Sequence, residues 1–317
     1  MSSHRDISIN ISDIYETLNN RNFNAKVIEL CRQNDQIAVY RVDKKYIIRI
    51  SDSIPDELRK LERVQSIMLT PKIHSTGVLI SSGKEYGYLI ADYMEGSDLF
   101  NVLKELTEEQ SLLLGRDIAH FLMNLHSIAD ACYDIGHYIP TVPRYKGSWK
   151  EGHLDYIKML RTSLADIHIS ESIITSAFEY IDYNIDCLEY QTGAKLLHND
   201  FHPKNIIVQD GRLMGVIDWE CSQYGEADFE LAHLFHWCIY PPEDGCQFEL
   251  LLKSLIKTLG IVGEVPKLAK RLTIYQLEHE LNQLVWSGGQ QLEERMQRIN
   301  GWLNGRVEAL FEKWQLD

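Results

Sequence analysis

The chain predicts an α+β fold in which a small antiparallel β region with one main helix precedes a larger, mostly helical region. Runs rich in β-branched and aromatic residues fill the stretch up to Met94, and from Leu99 onward apolar residues recur at helical spacing. The helical part is interrupted by one short ribbon, Ile206-Ile207-Val208 and Leu213-Met214-Gly215-Val216-Ile217, around Asp210-Gly211. The expected division is residues 1–95 and 96–317.

Taken in order, residues 11–20 read as a helix with Ser12 near its start, and an extended segment begins between Asn24 and Glu29. Gln36–Val42 and Lys45–Ile50 follow as strands joined by a short polar turn, giving a three-stranded antiparallel start. After Pro55, the positions Leu58, Leu61, Val64, Ile67 and Met68 have helical spacing. Gly77–Ile80 and Tyr86–Met94 read as two more strands around Ser-Ser-Gly-Lys, and Gly96 opens the larger region. There, helices are expected at Leu99–Leu106 and Thr107–His126, the second opened by the capping box Thr107-x-x-Gln110. Glycines and prolines from 127 to 150 mark an irregular connection. Residues 151–192 carry two amphipathic helices, and helices are expected again at Phe229–Ile239, Phe248–Leu259, Leu268–Gly288 and Gln291–Trp314.

The ribbon carries the chemistry. Asp-Gly is a strong signal for a two-residue hairpin loop, and that loop would set Asn205 opposite Val216, with Asp218 just beyond. An amide oxygen and a carboxylate then meet at the open end, a hard-oxygen pair suited to Mg²⁺, which takes one or two protein ligands and completes its shell with phosphate oxygens and water. Asp200, on the loop feeding the first strand, is free to accept a proton from a substrate hydroxyl. Each piece alone is weak; the spacing, the turn and the flanking apolar strands agree, and that agreement is the signal.

The order His198-Asn199-Asp200-Phe201-His202-Pro203-Lys204-Asn205, followed by Ile217-Asp218-Trp219-Glu220, resembles the catalytic loop and metal-binding Asp of kinases. The second His before the Pro, the Trp-Glu after the Asp and the segment Gly225–Ala232 are most similar to the aminoglycoside phosphotransferase and choline kinase family, with Glu230 where Asp is usual. The resemblance covers nearly the whole chain and is specific from His198 to Ala232. It implies a bilobal protein-kinase-like fold, ATP or GTP as co-substrate, Mg²⁺ on Asn205 and Asp218, and Asp200 as base. It implies Arg49 on the phosphates, paired with Glu62 or, as runner-up, Glu57. It also implies adenine bonding to main chain near Asp92 and Met94. His202 stands where protein kinases place a Lys that reaches the γ-phosphate, so it assists there or supports the loop. His126 reads as structural. One departure is that the loop over the phosphates, Cys31–Gln36, holds no glycine, so side chains such as Asn34 are expected to replace backbone contacts.

Composition narrows the classes. With 44% hydrophobic and 25% charged residues, 317 residues suffice for a large core or two lobes. No apolar run is long enough for a membrane span and the polar start is unlike a signal peptide, so a cytoplasmic protein is expected. Six scattered cysteines make no C-x-x-C pair, and His233-x-x-His236 reads as packing rather than a metal pair. A formal net charge of -14 argues against nucleic acid and suits a cationic partner. The expected acceptor is a small hydroxylated cation of the aminoglycoside kind, with Glu220, Asp244, Glu278 and Glu280 as candidate carboxylates. Glu278 and Glu280 are two apart on one helix and do not face one cleft together. The alternatives are choline, homoserine or another metabolite, for which Trp286 and Tyr275 are the candidate aromatics for a quaternary amine, and a catalytically silent nucleotide-binding module.

Overall fold

The computed structural model describes residues 7, 9–34, 36–51, 54–136, 144–167, 171–243 and 248–316, without the side chains of residues 56 and 57. Asp35, Asp244, the Glu57 side chain and the part of the irregular connection from 137 to 143 lie outside that description. The chain divides into two compact units. One is Met1–Ser97 with Ile206–Gln209 and Met214–Glu220; the other is Asp98–Asn205, Asp210–Leu213 and Cys221–Asp317.

The first unit is built on helix α1 (Ile11–Asn20) and an antiparallel sheet of β1 (Ile28–Gln33), β2 (Ile37–Val42), β3 (Tyr46–Ser51), β4 (Ile73–Ser81) and β5 (Lys84–Asp92), in the order β1-β2-β3-β5-β4. The period-2 pattern sorts the faces. Ala38, Tyr40, Val42, Ile48, Ile50, Tyr88 and Ile90 are buried together with Ile14 and Leu18 of α1. The intervening Val39, Arg49 and Leu89 are cross-strand neighbours on the other face. Helix α2 (Ile54–Arg63) starts with Pro55 in its first turn, where a missing N–H costs nothing. Ser82 and Gly83, at φ +52° and +76°, make the tight β4–β5 turn.

The second unit is helical. After the two-residue strand β6 (Ser97–Asp98) come α3 (Leu99–Val102), α4 (Glu108–Leu125), α5 (Trp149–Asp166) and α6 (Ser172–Asn184). The Thr107–Gln110 capping box is formed, and a second one, Ser148 with Glu151, starts α5. Strand β7 (Lys195–Leu197) precedes the catalytic loop, which is followed by the hairpin β8 (Ile206–Gln209) and β9 (Arg212–Val216), whose β8 and Met214–Val216 are counted in the first unit. Asp210 and Gly211 sit at φ +52° and +74°, the two positive values a type I′ loop requires. Strand β10 (Gln223–Gly225) pairs antiparallel with β7. Then come α7 (Leu231–Ile239), α8 (Glu249–Leu259), α9 (Ile261–Glu264), α10 (Leu268–Trp286), α11 (Leu292–Leu303) and α12 (Arg306–Trp314).

Helix α10 is the axis of this unit, packing against α5, α6, α7, α11 and α12. It is buried nearly all round, so its polar residues face protein rather than water. Two expectations change here. Leu99–Leu106 keeps one helical turn, because Asp98 caps α3 through Asn101 and the chain must restart at the Thr107 box. Gln291–Trp314 is two helices, broken where Gly305 takes φ +75°. Neither β7 nor β10 was legible, since three-residue strands carry no readable alternation.

Candidate active site

A buried carboxylate holds the loop that carries Asp200. Glu230, inaccessible to solvent, accepts the backbone N–H groups of His198 at 2.6 Å and Asn199 at 2.9 Å. Burial would raise its carboxyl, but the imidazole of His126, 3.7 Å away, and the charge and amide of His198 bring it below the usual range. Asn199 takes φ +60°, a conformation Asn tolerates better than most residues. Its amide donates to the Cys221 carbonyl at 3.3 Å and its oxygen accepts from Gln223 Nε2 at 3.0 Å. The backbone therefore reaches Asp200 already fixed.

Asp200 is mostly buried, which taken alone would raise its pKa. The His202 hydrogen bond and the fields of His233, His202 and His198 outweigh burial and hold it down at about 2. It is a carboxylate at every working pH. His202 Nε2 lies 3.5 Å from Asp200 Oδ1, and Asn205 Nδ2 donates to the Asp200 carbonyl at 2.9 Å and to Oδ2 at 3.2 Å. The His202 ring stacks on Trp237, with centroids 4.5 Å apart and planes 19° apart. Lys204 Nζ lies 5.0 Å from the Phe100 ring and 5.6 Å from the Trp237 ring. Trp237, Lys204 and Phe100 were missed in the sequence; only the apolar period of α7 hinted at Trp237.

In the first unit, Arg49 projects from the sheet face opposite the α1 core. Its guanidinium lies 3.4 Å from Asp218 Oδ1 and hydrogen-bonds Glu220, while Lys60 donates to the Glu220 carbonyl. Asp218 itself takes φ +65°. Glu62, the expected partner of Arg49, is exposed on α2, and the carboxylates described on Arg49 are Asp218 and Glu220. Asp92 is engaged with the sheet: its N–H donates to the Lys72 carbonyl at 3.0 Å and its carboxylate meets His74 at 2.6 Å. Met94, two residues past the end of β5, has no backbone–backbone hydrogen bond among the described residues. Gly96, at φ +133°, lies so close to the Val208 carbonyl that any Cβ would stand 2.7 Å from the oxygen. Asn34 closes its own turn: its Oδ1 accepts the N–H groups of Gln36 and Ile37 at 2.9 and 2.8 Å.

Two nominated acids are withdrawn. Glu278 accepts from His153 Nδ1 at 2.8 and 2.9 Å with both side chains inaccessible, and Glu280 is buried 2.8 Å from Arg295. Neither is available to a substrate. Asp244 lies outside the described residues. Tyr275 is buried and donates to Asp228 at 3.1 Å, and Trp286 is 69% exposed, so the two form no cage.

Residues 33–247 match the model of the phosphotransferase enzyme family, APH. The chain belongs to that family. Over 150 residues, 47% of this chain and 39% of the relative, it is 28% identical to a hygromycin-B 4-O-kinase from Escherichia coli. It thus spans about two-fifths of the length of that curated relative. Its fold is that of the aminoglycoside phosphotransferases among solved structures. A thermostable mutant of APH(4)-Ia in its apo form has TM-score 0.64 at 18% identity, covering 94% of this chain and 98% of that one. The same enzyme as a ternary complex with AMP-PNP and hygromycin B has TM-score 0.63 at 17% identity, covering 95% and 98%. ADP-bound APH(2'')-Ib has TM-score 0.62 at 20% identity, covering 94% and 99%. The architecture, an antiparallel sheet unit and a helical unit, is therefore protein-kinase-like, as expected.

Among the described residues of this phosphotransferase-family chain, no group of three or more His, Cys, Asp or Glu is arranged to hold a metal, and no helix is long and apolar enough to cross a membrane. Mg²⁺ does not need such a cluster. Within the second unit, Asn205 directs its NH₂ to Asp200, which leaves the amide oxygen as acceptor; within the first, Asp218 Oδ1 faces Arg49. The loop also sets an acid limit on the fold. Burial pushes His233 down to about 4, so the folded chain keeps it neutral while the unfolded chain protonates it near 6.5. Its contribution is full above pH 6.5 and falls between 6.5 and 4, on the order of 3 kcal/mol. Glu230 and Asp200, with depressed values, remove more only below their own ordinary range. Urea midpoints between pH 7.5 and 4 should fall accordingly, and His233→Phe should flatten the upper part of that slope.

Proposed function

We propose that the chain transfers the γ-phosphoryl group of ATP, or GTP, to a hydroxyl of a small molecule, with Mg²⁺ held by Asn205 and Asp218. The observation that carries this reading is the ionised Asp200, fixed by Asn205 and His202 on a loop anchored at Glu230. When bound, Mg²⁺ would neutralise negative charge on the phosphates. Arg49 adds positive charge, held by Asp218 and Glu220. The open main chain at Met94 receives the base. Asp200, with a pKa of about 2, is a weak base. Its task is to accept a hydrogen bond from the attacking hydroxyl, aim its lone pair, and take the proton late, as a loose transition state requires. His202 orients that carboxylate and carries a donor toward the same space.

For the acceptor, the relatives' names and the net charge of -14 support a hydroxylated cation of the aminoglycoside kind. A second reading, a metabolite alcohol such as homoserine, is favoured by the withdrawal of Glu278 and Glu280 as carboxylates for an ammonium group. Choline loses its support with Tyr275. Release of nucleoside diphosphate from Mg-ATP should rise on adding hygromycin B under the first reading, or only with homoserine under the second, and chelation by EDTA should stop it. Nucleotide binding with no turnover on any hydroxylated amine or amino acid would overturn both and leave a silent nucleotide-binding module.

A further inference from the structure

A cavity of about 200 Å³ opens among α7, α10 and α11, lined by His236, Trp237, Tyr240, Gln283, Arg295 and Arg298 among others. It lies within the second unit, and one of its lining residues, Trp237, is the one whose ring stacks on His202 of the catalytic loop. Its volume is below the roughly 300 Å³ of the smallest drug-sized sites, so it suits one end of a ligand.

The lining is the reverse of what a polycation needs. Among the described residues no carboxylate borders the cavity, and two guanidiniums do. Arg295 turns Nη1 to the buried Glu280 at 2.8 Å. Arg298 is paired with Glu294 one turn earlier, a half-exposed partner, and reaches His236 Nε2 at 3.4 Å. A guanidinium carries five N–H donors, so these contacts leave several on each. Burial drives His236 far below its usual range, with Arg298, His233 and Arg295 adding to the effect, so it is neutral. Its Nδ1 stands 3.4 Å from Glu280 Oε1, with neither atom hydrogen-bonded.

We propose that this cavity holds an oxyanion, a carboxylate or a phosphate, at one end of the phosphate acceptor, which favours the second reading above, a hydroxyl-bearing metabolite with an anionic end, over a polycation. The proposal rests on the phosphotransferase reading of Asp200. Arg298 takes the oxyanion in place of the exposed Glu294, with Arg295 and Gln283 as further donors. Trp237 and Tyr240 cover the ligand's carbon skeleton. The hydroxyl at the ligand's other end is the one presented to the Asp200 carboxylate.

The test is titration of the full chain with D-glycerate, glycerol 3-phosphate, glycerol and hygromycin B, read by tryptophan fluorescence, alongside Mg-ATP turnover with each. At least one of the two anions should bind tenfold or more tightly than glycerol, and which one does so identifies the oxyanion as carboxylate or phosphate. Arg298→Gln should remove that preference and Arg298→Lys should restore part of it, with unchanged melting temperatures showing both variants folded. Equal binding of anions and glycerol, or an anion preference untouched in Arg298→Gln, overturns the proposal. Selective anion binding sensitive to Arg298 without any turnover supports the cavity and sinks the phosphotransferase reading instead. Turnover on hygromycin B that neither anion inhibits sinks the cavity proposal and leaves that reading standing.

Discussion

Asp200→Ala should lower phosphoryl transfer by roughly a thousandfold or more, the range for losing a positioned acid–base group, while nucleotide affinity changes less than twofold. The asymmetry follows from what the side chain touches. Its oxygens meet His202 and Asn205, whereas the proposed nucleotide contacts fall to Arg49, Asp218 and the main chain at Met94. Asp200→Asn is the sharper variant, since it keeps the Asn205 geometry and removes only the charge. It should be as inactive as Ala if the carboxylate accepts a proton, and largely active if it merely shapes the loop. Single-turnover kinetics with a fluorescent nucleotide separate binding from transfer. Loss of both together would move the base elsewhere.

Asp228→Ala should cost about 3–5 kcal/mol of stability, because it leaves a buried guanidinium without its countercharge. Arg271 is inaccessible; Nε and Nη2 bond Asp228 at 2.6 and 2.9 Å, and Nη1 donates to the carbonyls of Cys187 and Tyr190, both at 2.8 Å. Tyr275 donates to the same carboxylate and accepts from Trp149 Nε1 at 2.9 Å. The pair thus ties α10 to the turn before α7 and to the end of α6's extension. A melting temperature about 10 °C lower is expected at 2–4 °C per kcal/mol. The double variant Asp228→Leu with Arg271→Met should recover most of the loss, since neither charge is then stranded. Calorimetry on the three proteins decides it: a double variant as unstable as the single would mean that the pair's hydrogen bonds, not its charges, hold the core.

The hairpin was readable in the sequence because its cause is local: Asp210-Gly211 can take the two positive φ values that few other pairs tolerate. The Thr107 capping box was readable for the same reason, and the Ser148–Glu151 box was equally available in the letters. What failed depended on burial. Helix α10 has no polar face, so Glu278 and Glu280 looked like surface acids although His153 and Arg295 claim them from distant segments. Asn34 looked free because its acceptor role lies within its own turn. The acidic residues argued for a cationic ligand by number alone; which of them a ligand can reach is settled by packing, and packing is not written at any single position.

The first unit takes two of its segments, Ile206–Gln209 and Met214–Glu220, from beyond the whole of its main stretch. On the ribosome, where chains grow at about 5–20 residues per second, the first unit waits several seconds or more for these two segments. Over that interval Arg49 lacks the Asp218 and Glu220 carboxylates that meet it in the finished chain.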